Sequence, residues 1–180
     1  MINFKQQLEF FKLIGKTLKY RTECYVIGGS AMMFYEAKAE TLDVDLVFLN
    51  KKDLDEIKEA LISMGFEIKS SLIKVFKRYE TASNTPVMMV RKGERFDLFV
   101  KEIISSAMSD TIIKRVKETH EFNNLIVKVV SPEDIILLKC ATERGKDRYD
   151  ALSLIKKYNI NWDIIINESI HQAELTPYLF

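Results

Sequence analysis

Cysteine, histidine, proline and glycine are all scarce in this chain, at two, two, three and six among 180 residues. Cys24 and Cys140 stand far apart in apolar surroundings, which reads as two buried thiols rather than a disulfide. Two Cys and two His without ligand-spaced pairs exclude a structural zinc site. No apolar run approaches the ~18 residues of a membrane span. The opening segment, residues 1–10, lacks the basic head and apolar core of a secretion signal, so a cytoplasmic location is expected. Charge of one sign is missing too. The net charge is +1, and no basic, aromatic-studded stripe marks an RNA-binding surface. Repeats and low-complexity linkers are absent. What remains is 47% hydrophobic residues, enough for one domain with a substantial core.

Phe4, Leu8, Phe11, Ile14 and Leu18 predict an amphipathic helix over residues 3–20. Gly15 falls inside it at a cost of about 1 kcal/mol relative to Ala. A strand over 24–27 runs into Gly28-Gly29-Ser30, with Ser30 as the cap of a following helix. A second strand is expected over 44–49, then a helix from Asp53 that Gly65 stops. Short strands are expected over 66–69 and 73–79, with a polar loop over 80–85. A hairpin follows, 87–90 with 95–100. Helix is only weakly signalled over 103–118, and a strand is expected over 125–130. Ser131-Pro132-Glu133-Asp134 is the best helix start in the chain, with a cap, a proline at the first position and an acid at the third. That helix is expected to close at Gly145, with further helices from Asp147 and from a capping Asn161. Met32, Met33, Met88, Met89, Phe66 and Trp162 are assigned to the core. The shift to all-helix near Ser131 is the one boundary, dividing a 1–130 core from a 131–180 helical segment packed on it.

Asp is depleted from strand interiors, yet Asp43 and Asp45 lie one residue apart in an apolar β-run. Alternation puts Val44, Leu46 and Phe48 on one face and both acids on the other. Two ionised carboxylates at that spacing repel unless a cation sits between them, and Mg²⁺ or Mn²⁺ favours such oxygens. Asp97 is a third lone acid inside a β-run, and it completes the set if its strand neighbours that of Asp45. The Gly28-Gly29-Ser30 turn lets backbone approach a ligand closely and leads into a helix start, which reads as a phosphate cradle.

This order of motifs resembles the DNA polymerase β-type nucleotidyltransferase superfamily. The resemblance rests on Ile27-Gly28-Gly29-Ser30, then Asp43-Val44-Asp45-Leu46, then Phe96-Asp97-Leu98. It covers roughly residues 25–100. Thr41-Leu42-Asp43-Val44-Asp45 is further similar to a segment of the abortive-infection and toxin-like (minimal) nucleotidyltransferases. So is the stretch 131–139, followed by Arg144-Gly145-Lys146-Asp147 and Asp150. The resemblance implies an α/β nucleotidyltransferase fold, a mixed β-sheet flanked by helices, with C-terminal helices. It implies transfer of a nucleoside monophosphate from an NTP to a hydroxyl of RNA, protein or a small molecule, with release of pyrophosphate. Asp43, Asp45 and Asp97 would hold Mg²⁺ or Mn²⁺, and Asp97 would help deprotonate the acceptor. Gly28, Gly29, Ser30 and Lys38 would bind nucleotide, while Lys139 would reach the active site from its helix. A cognate antitoxin-like protein is an implied partner, and a membrane is not. Ala39 stands where these relatives commonly carry an arginine, with Lys38 adjacent. That departure leaves a second reading, a catalytically weak or inactive fold that binds nucleotide or a protein. By spacing alone, Lys139 pairs with Glu143, and Arg144, Lys146, Asp147 and Asp150 form an interhelix ion-pair set.

Overall fold

A computed structural model describes residues 1–69, 85–103, 106–142 and 144–175. The strand expected over 73–79, nearly all of the loop over 80–85, Glu143 and the tail beyond 175 lie outside those residues.

The described elements are β1 (Ile2–Asn3), α1 (Phe4–Thr17), β2 (Thr22–Ile27), α2 (Gly28–Phe34), β3 (Glu40–Thr41), β4 (Val44–Phe48) and α3 (Lys51–Ser63). Next come β5 (Glu67–Ile68), β6 (Val87–Arg91), β7 (Glu94–Val100), β8 (Glu102–Ile103), β9 (Ser106–Ala107) and α4 (Asp110–Arg115). The chain then forms β10 (Glu118–Phe122), β11 (Leu125–Val129), α5 (Pro132–Cys140), α6 (Gly145–Lys157) and α7 (Trp162–Leu175). Seven strands make one mixed sheet in the order β10-β11-β2-β4-β7-β6-β5. The pairs β11/β2 and β4/β7 are parallel. The pairs β10/β11, β2/β4, β7/β6 and β6/β5 are antiparallel.

Local chemistry explains most boundaries. Asn3 caps α1, its side chain accepting from Gln6 N while the Gln6 side chain accepts from Asn3 N. Ser131 caps α5, accepting from Asp134 N. Asn161 accepts from Asp163 N at the start of α7. The β6–β7 hairpin turns on Lys92 and Gly93, both at positive φ (46° and 87°), which suits the twist of a two-residue loop. Gly65, at φ 86°, ends α3 as expected. The core joins both halves of the chain. Phe10, Phe66 and Phe96 meet edge-on with centroids 5.4–6.0 Å apart. Ile135, Ile136, Ala151 and Leu154 belong to the same cluster as Val26, Leu46 and Leu98.

Several expectations are corrected. Ser30 does not cap α2, which begins at Gly28 and has no side-chain cap. The third helix starts at Lys51, because Asn50 rather than Asp53 is the cap. The helix from Ser131 stops at Cys140, and Gly145 opens α6 instead of closing α5. Cys24 is buried, but Cys140 is exposed at the end of α5. Trp162 is not core: it is 52% exposed at the first position of α7, with Ile135, Ile136 and Leu154 filling the space beneath the helices. Among the described residues, no helix is long and apolar enough to cross a membrane.

Candidate active site

The sheet brings the three acids together. Parallel pairing of β4 with β7 sets Asp45 directly beside Asp97, and Asp43 precedes Asp45 by one pleat. Each of Asp43, Asp45 and Asp97 offers a carboxylate oxygen, and these atoms lie within 4.8 Å of one another. That is inside the span that oxygen-ligated divalent ions with ~2.0–2.1 Å bonds can bridge.

The electrostatics suit a cation. Burial pushes the Asp45 carboxyl up to about 8, helped by the like charges of Asp43 and Asp97, although the residue keeps some exposed surface. Burial also raises Asp97, against the opposing pull of Arg95. Arg95 grips Asp97 with a two-pronged fork, Nε to Oδ1 at 2.7 Å and Nη2 to Oδ2 at 2.5 Å. Three clustered carboxylates, two of them pushed toward their neutral form, are a donor set that a hard divalent cation fits.

The glycine turn is pressed against this set. Gly28 has φ 61°, and a Cβ there would lie 2.6 Å from Asp45 Oδ2. A Cβ on Gly29 would lie 2.6 Å from Thr41 Oγ1 and 3.5 Å from Lys38 Cδ. The glycines are therefore needed by the protein's own packing, apart from any ligand. Ser30 is fully buried and its hydroxyl donates to the Asp43 carbonyl at 3.1 Å, pinning the chain just before β4.

Lys38 and Lys139 come to the same region but are held by acids of α6. Lys38 Nζ lies 2.5 Å from Asp150 Oδ1. Lys139, only 8% exposed, donates to Asp147 Oδ1 at 2.7 Å and lies 2.9 Å from Asp150 Oδ2. The second contact is a charge contact without hydrogen-bond geometry. Burial pulls the Lys139 ammonium down, but the hydrogen bond to Asp147 and the charge of Asp150 outweigh it and hold it above the ordinary lysine range. Arg144 and Thr142 also donate to Asp147. The ion-pair set expected from spacing differs in membership: Asp147 and Asp150 of α6 pair with Lys139, Lys38 and Arg144, while Lys146 is exposed, and the expected partner of Lys139, Glu143, lies outside the described residues.

Two residues escaped the sequence reading. Arg95 precedes Asp97 by two on one strand, and the shared face this implies was the available signal. Gln7 is fully buried and its amide donates to the Ser30 carbonyl at 3.2 Å, supporting the turn from α1. Its signal was a polar residue on the apolar stripe of α1.

A mixed sheet thus carries Asp43 and Asp45 beside a third strand acid, Asp97, next to a glycine turn, the arrangement expected from the resemblance to nucleotidyltransferases. The chain belongs to a family described as "Nucleotidyltransferase of unknown function (DUF6036)", whose profile matches residues 3–177. It is a nucleotidyltransferase. The fold is similar to that of ANT(2")-Ia, solved in complex with adenylyl-2"-tobramycin, at 13% identity and TM-score 0.51, covering 83% of this chain and 87% of that one. An antigenic nucleotidyltransferase-like protein from Paracoccidioides brasiliensis aligns over 96% of this chain and 88% of its own at 17% identity and TM-score 0.44. JHP933 from Helicobacter pylori aligns over 94% and 79% at 16% identity and TM-score 0.46. No curated protein matches the sequence.

Proposed function

We propose that this nucleotidyltransferase is metal-dependent and moves a nucleoside monophosphate from an NTP to an acceptor hydroxyl. The observation that carries this reading is the convergence of Asp43, Asp45 and Asp97 within 4.8 Å beside the Gly28 turn. The acceptor oxygen bonds to the α-phosphorus as the bond from that phosphorus to the β-bridging oxygen breaks, and pyrophosphate leaves. Bound Mg²⁺ or Mn²⁺ supplies charge neutralisation and in-line alignment. Asp43 and Asp45 would hold the metal, while Asp97 would complete the set and help deprotonate the acceptor hydroxyl. Gly28, Gly29 and Ser30 shape the nucleotide side, and Lys38 and Lys139 supply positive charge there. In this reading the 131–180 helices pack on a 1–130 core and deliver Lys139.

The toxin-like segments favour RNA or a protein side chain as acceptor, an antitoxin-like protein as partner, and a cytoplasmic setting. The test is incubation with each α-labelled NTP, Mg²⁺ or Mn²⁺, and total cellular RNA or protein. Label on one class, lost in Asp43→Asn, supports transfer and names the acceptor. A second reading is a nucleotide-binding module without turnover. It is favoured by Ala39 in the arginine position and by the ties of Lys38 and Lys139 to Asp150. Nucleotide binding in calorimetry with neither label transfer nor pyrophosphate release on any acceptor would establish that module instead.

A further inference from the structure

Arg95 answers two questions that the site leaves open: what balances Asp97 without metal, and what stands in for the arginine missing at Ala39. Its register is informative. Val44 pairs with Phe96 at the start of the ladder, so Asp43 and Arg95 each stand one residue before that pair, and Arg95 lies close enough to Asp43 to feel its charge. The guanidinium occupies both oxygens of Asp97, whose side chain is only 7% exposed. A buried carboxylate needs such a partner. The Arg95 side chain is 40% exposed, so it has an open side toward which it can turn. Among the described residues it makes the one ion pair with the triad. Lys38, Lys139 and Arg144 are each held by Asp147 or Asp150.

Arg95 and a divalent cation want the same oxygens. Each carboxylate oxygen has two lone pairs, so the fork does not seal Asp97, but it sets a positive charge beside any incoming ion. A guanidinium fork that fits a carboxylate also fits two oxygens of a phosphate. We propose that Arg95 is an exchange residue, holding Asp97 when no metal is bound and transferring its fork to the nucleotide's phosphate oxygens when metal takes Asp97. This rests on the metal-dependent reading above and adds a nucleotide contact from β7, a strand away from the turn expected to supply it.

Mn²⁺ binding measured by electron paramagnetic resonance separates the possibilities, with and without the α,β-methylene analogues of the four NTPs. Arg95→Gln is expected to bind Mn²⁺ alone about fivefold more tightly, because a competing, partly exposed cation has gone. The same variant is expected to bind the preferred analogue with Mn²⁺ at least about tenfold more weakly, because the charged fork is lost. Arg95→Lys, which keeps the charge without the fork, falls between wild type and Arg95→Gln on the nucleotide measurement. Circular dichroism and melting check that both variants fold. Folded Arg95→Gln with unchanged or weaker Mn²⁺ affinity, or with wild-type analogue affinity, overturns the exchange alone. Wild-type protein that binds no Mn²⁺, or Asp43→Asn/Asp45→Asn that binds it equally well, overturns the metal reading and the exchange with it.

Discussion

Asp45 holds a carboxyl in an environment that favours its neutral form, and that has a measurable consequence without metal. Its folded pKa, about 8, lies above the ordinary aspartate value of 3.8. Between those values the folded state binds more protons than the unfolded one, so this group's contribution to stability falls as pH rises through the window. In a chelating buffer, Asp45→Asn is therefore expected to melt above wild type at pH 8, with the gap closing toward pH 5. A gap that widens at low pH would contradict the assignment. Transfer activity in the same variant is expected to drop on the order of a thousandfold. Gly28→Ala tests the other side of the contact. Its φ of 61° and the 2.6 Å approach to Asp45 Oδ2 predict a loss of about 1–3 kcal/mol in denaturant unfolding. The three acids were legible because each breaks the usual composition of a strand interior. Arg95 shares a strand face with Asp97 in the sequence, but its role does not show there, since Asp97 becomes a buried carboxylate only when β4 and β6 flank β7.

The elements were legible wherever the sequence carries its own punctuation, as at the Ser131 cap, the Lys92-Gly93 turn and Gly65. They were missed where tertiary contacts decide. β10 reads as Glu-Thr-His-Glu-Phe, a polar edge strand whose order comes from pairing with β11 and from His120 lying 4.7 Å from the Phe34 ring. Gly15 looked like a weakness in α1, but the turn of that hairpin rests on it. A Cβ there would stand 1.7 Å from the Phe122 carbonyl oxygen, and Asn124 N donates to the Gly15 carbonyl at 3.2 Å. Gly15→Ala should thus reverse the usual helix preference and destabilise by more than about 2 kcal/mol, read from the urea midpoint. α7 is tied down by Glu168, which accepts from Ser109, Thr111, Arg115 and Gln172. Burial raises this carboxyl, but those four donors outweigh it and hold it below the ordinary glutamate range. Its stabilising effect is complete above about pH 4.5 and is lost as pH falls through the folded value. Glu168→Gln should be less stable than wild type at pH 7 and lose less on acidification, as urea titrations at several pH values would reveal.

At the scale of the whole molecule, the boundary near Ser131 marks a change in secondary structure, while the core runs straight through it. Ile135, Ile136, Ala151, Leu154 and Ile160 complete the cluster that contains Val44, Leu46, Val47 and Phe48 of β4. Polar contacts cross at the same place: Tyr158 donates to the Tyr35 carbonyl at 2.8 Å, Ser153 to that of Ala37 at 3.3 Å, and Lys38 meets Asp150. Composition alone could not tell an appended domain from a packed layer, because both read as amphipathic helix after a β-run. Burying one large aliphatic side chain is worth about 1.5–3 kcal/mol. Losing four such side chains and an alanine therefore removes roughly as much as the whole margin of ~5–15 kcal/mol that keeps a domain folded. A fragment ending at Val130 is accordingly expected to lack cooperative thermal unfolding and dispersed amide resonances, and to bind neither Mn²⁺ nor nucleotide. Adding residues 131–160 should restore the cluster and the Lys139–Asp147 and Lys38–Asp150 pairs, and with them a cooperative transition, although α7 is still missing. If the shorter fragment melts cooperatively by itself, the C-terminal helices are an accessory to the catalytic fold, and the route by which Lys139 reaches the site is lost as an explanation for their presence.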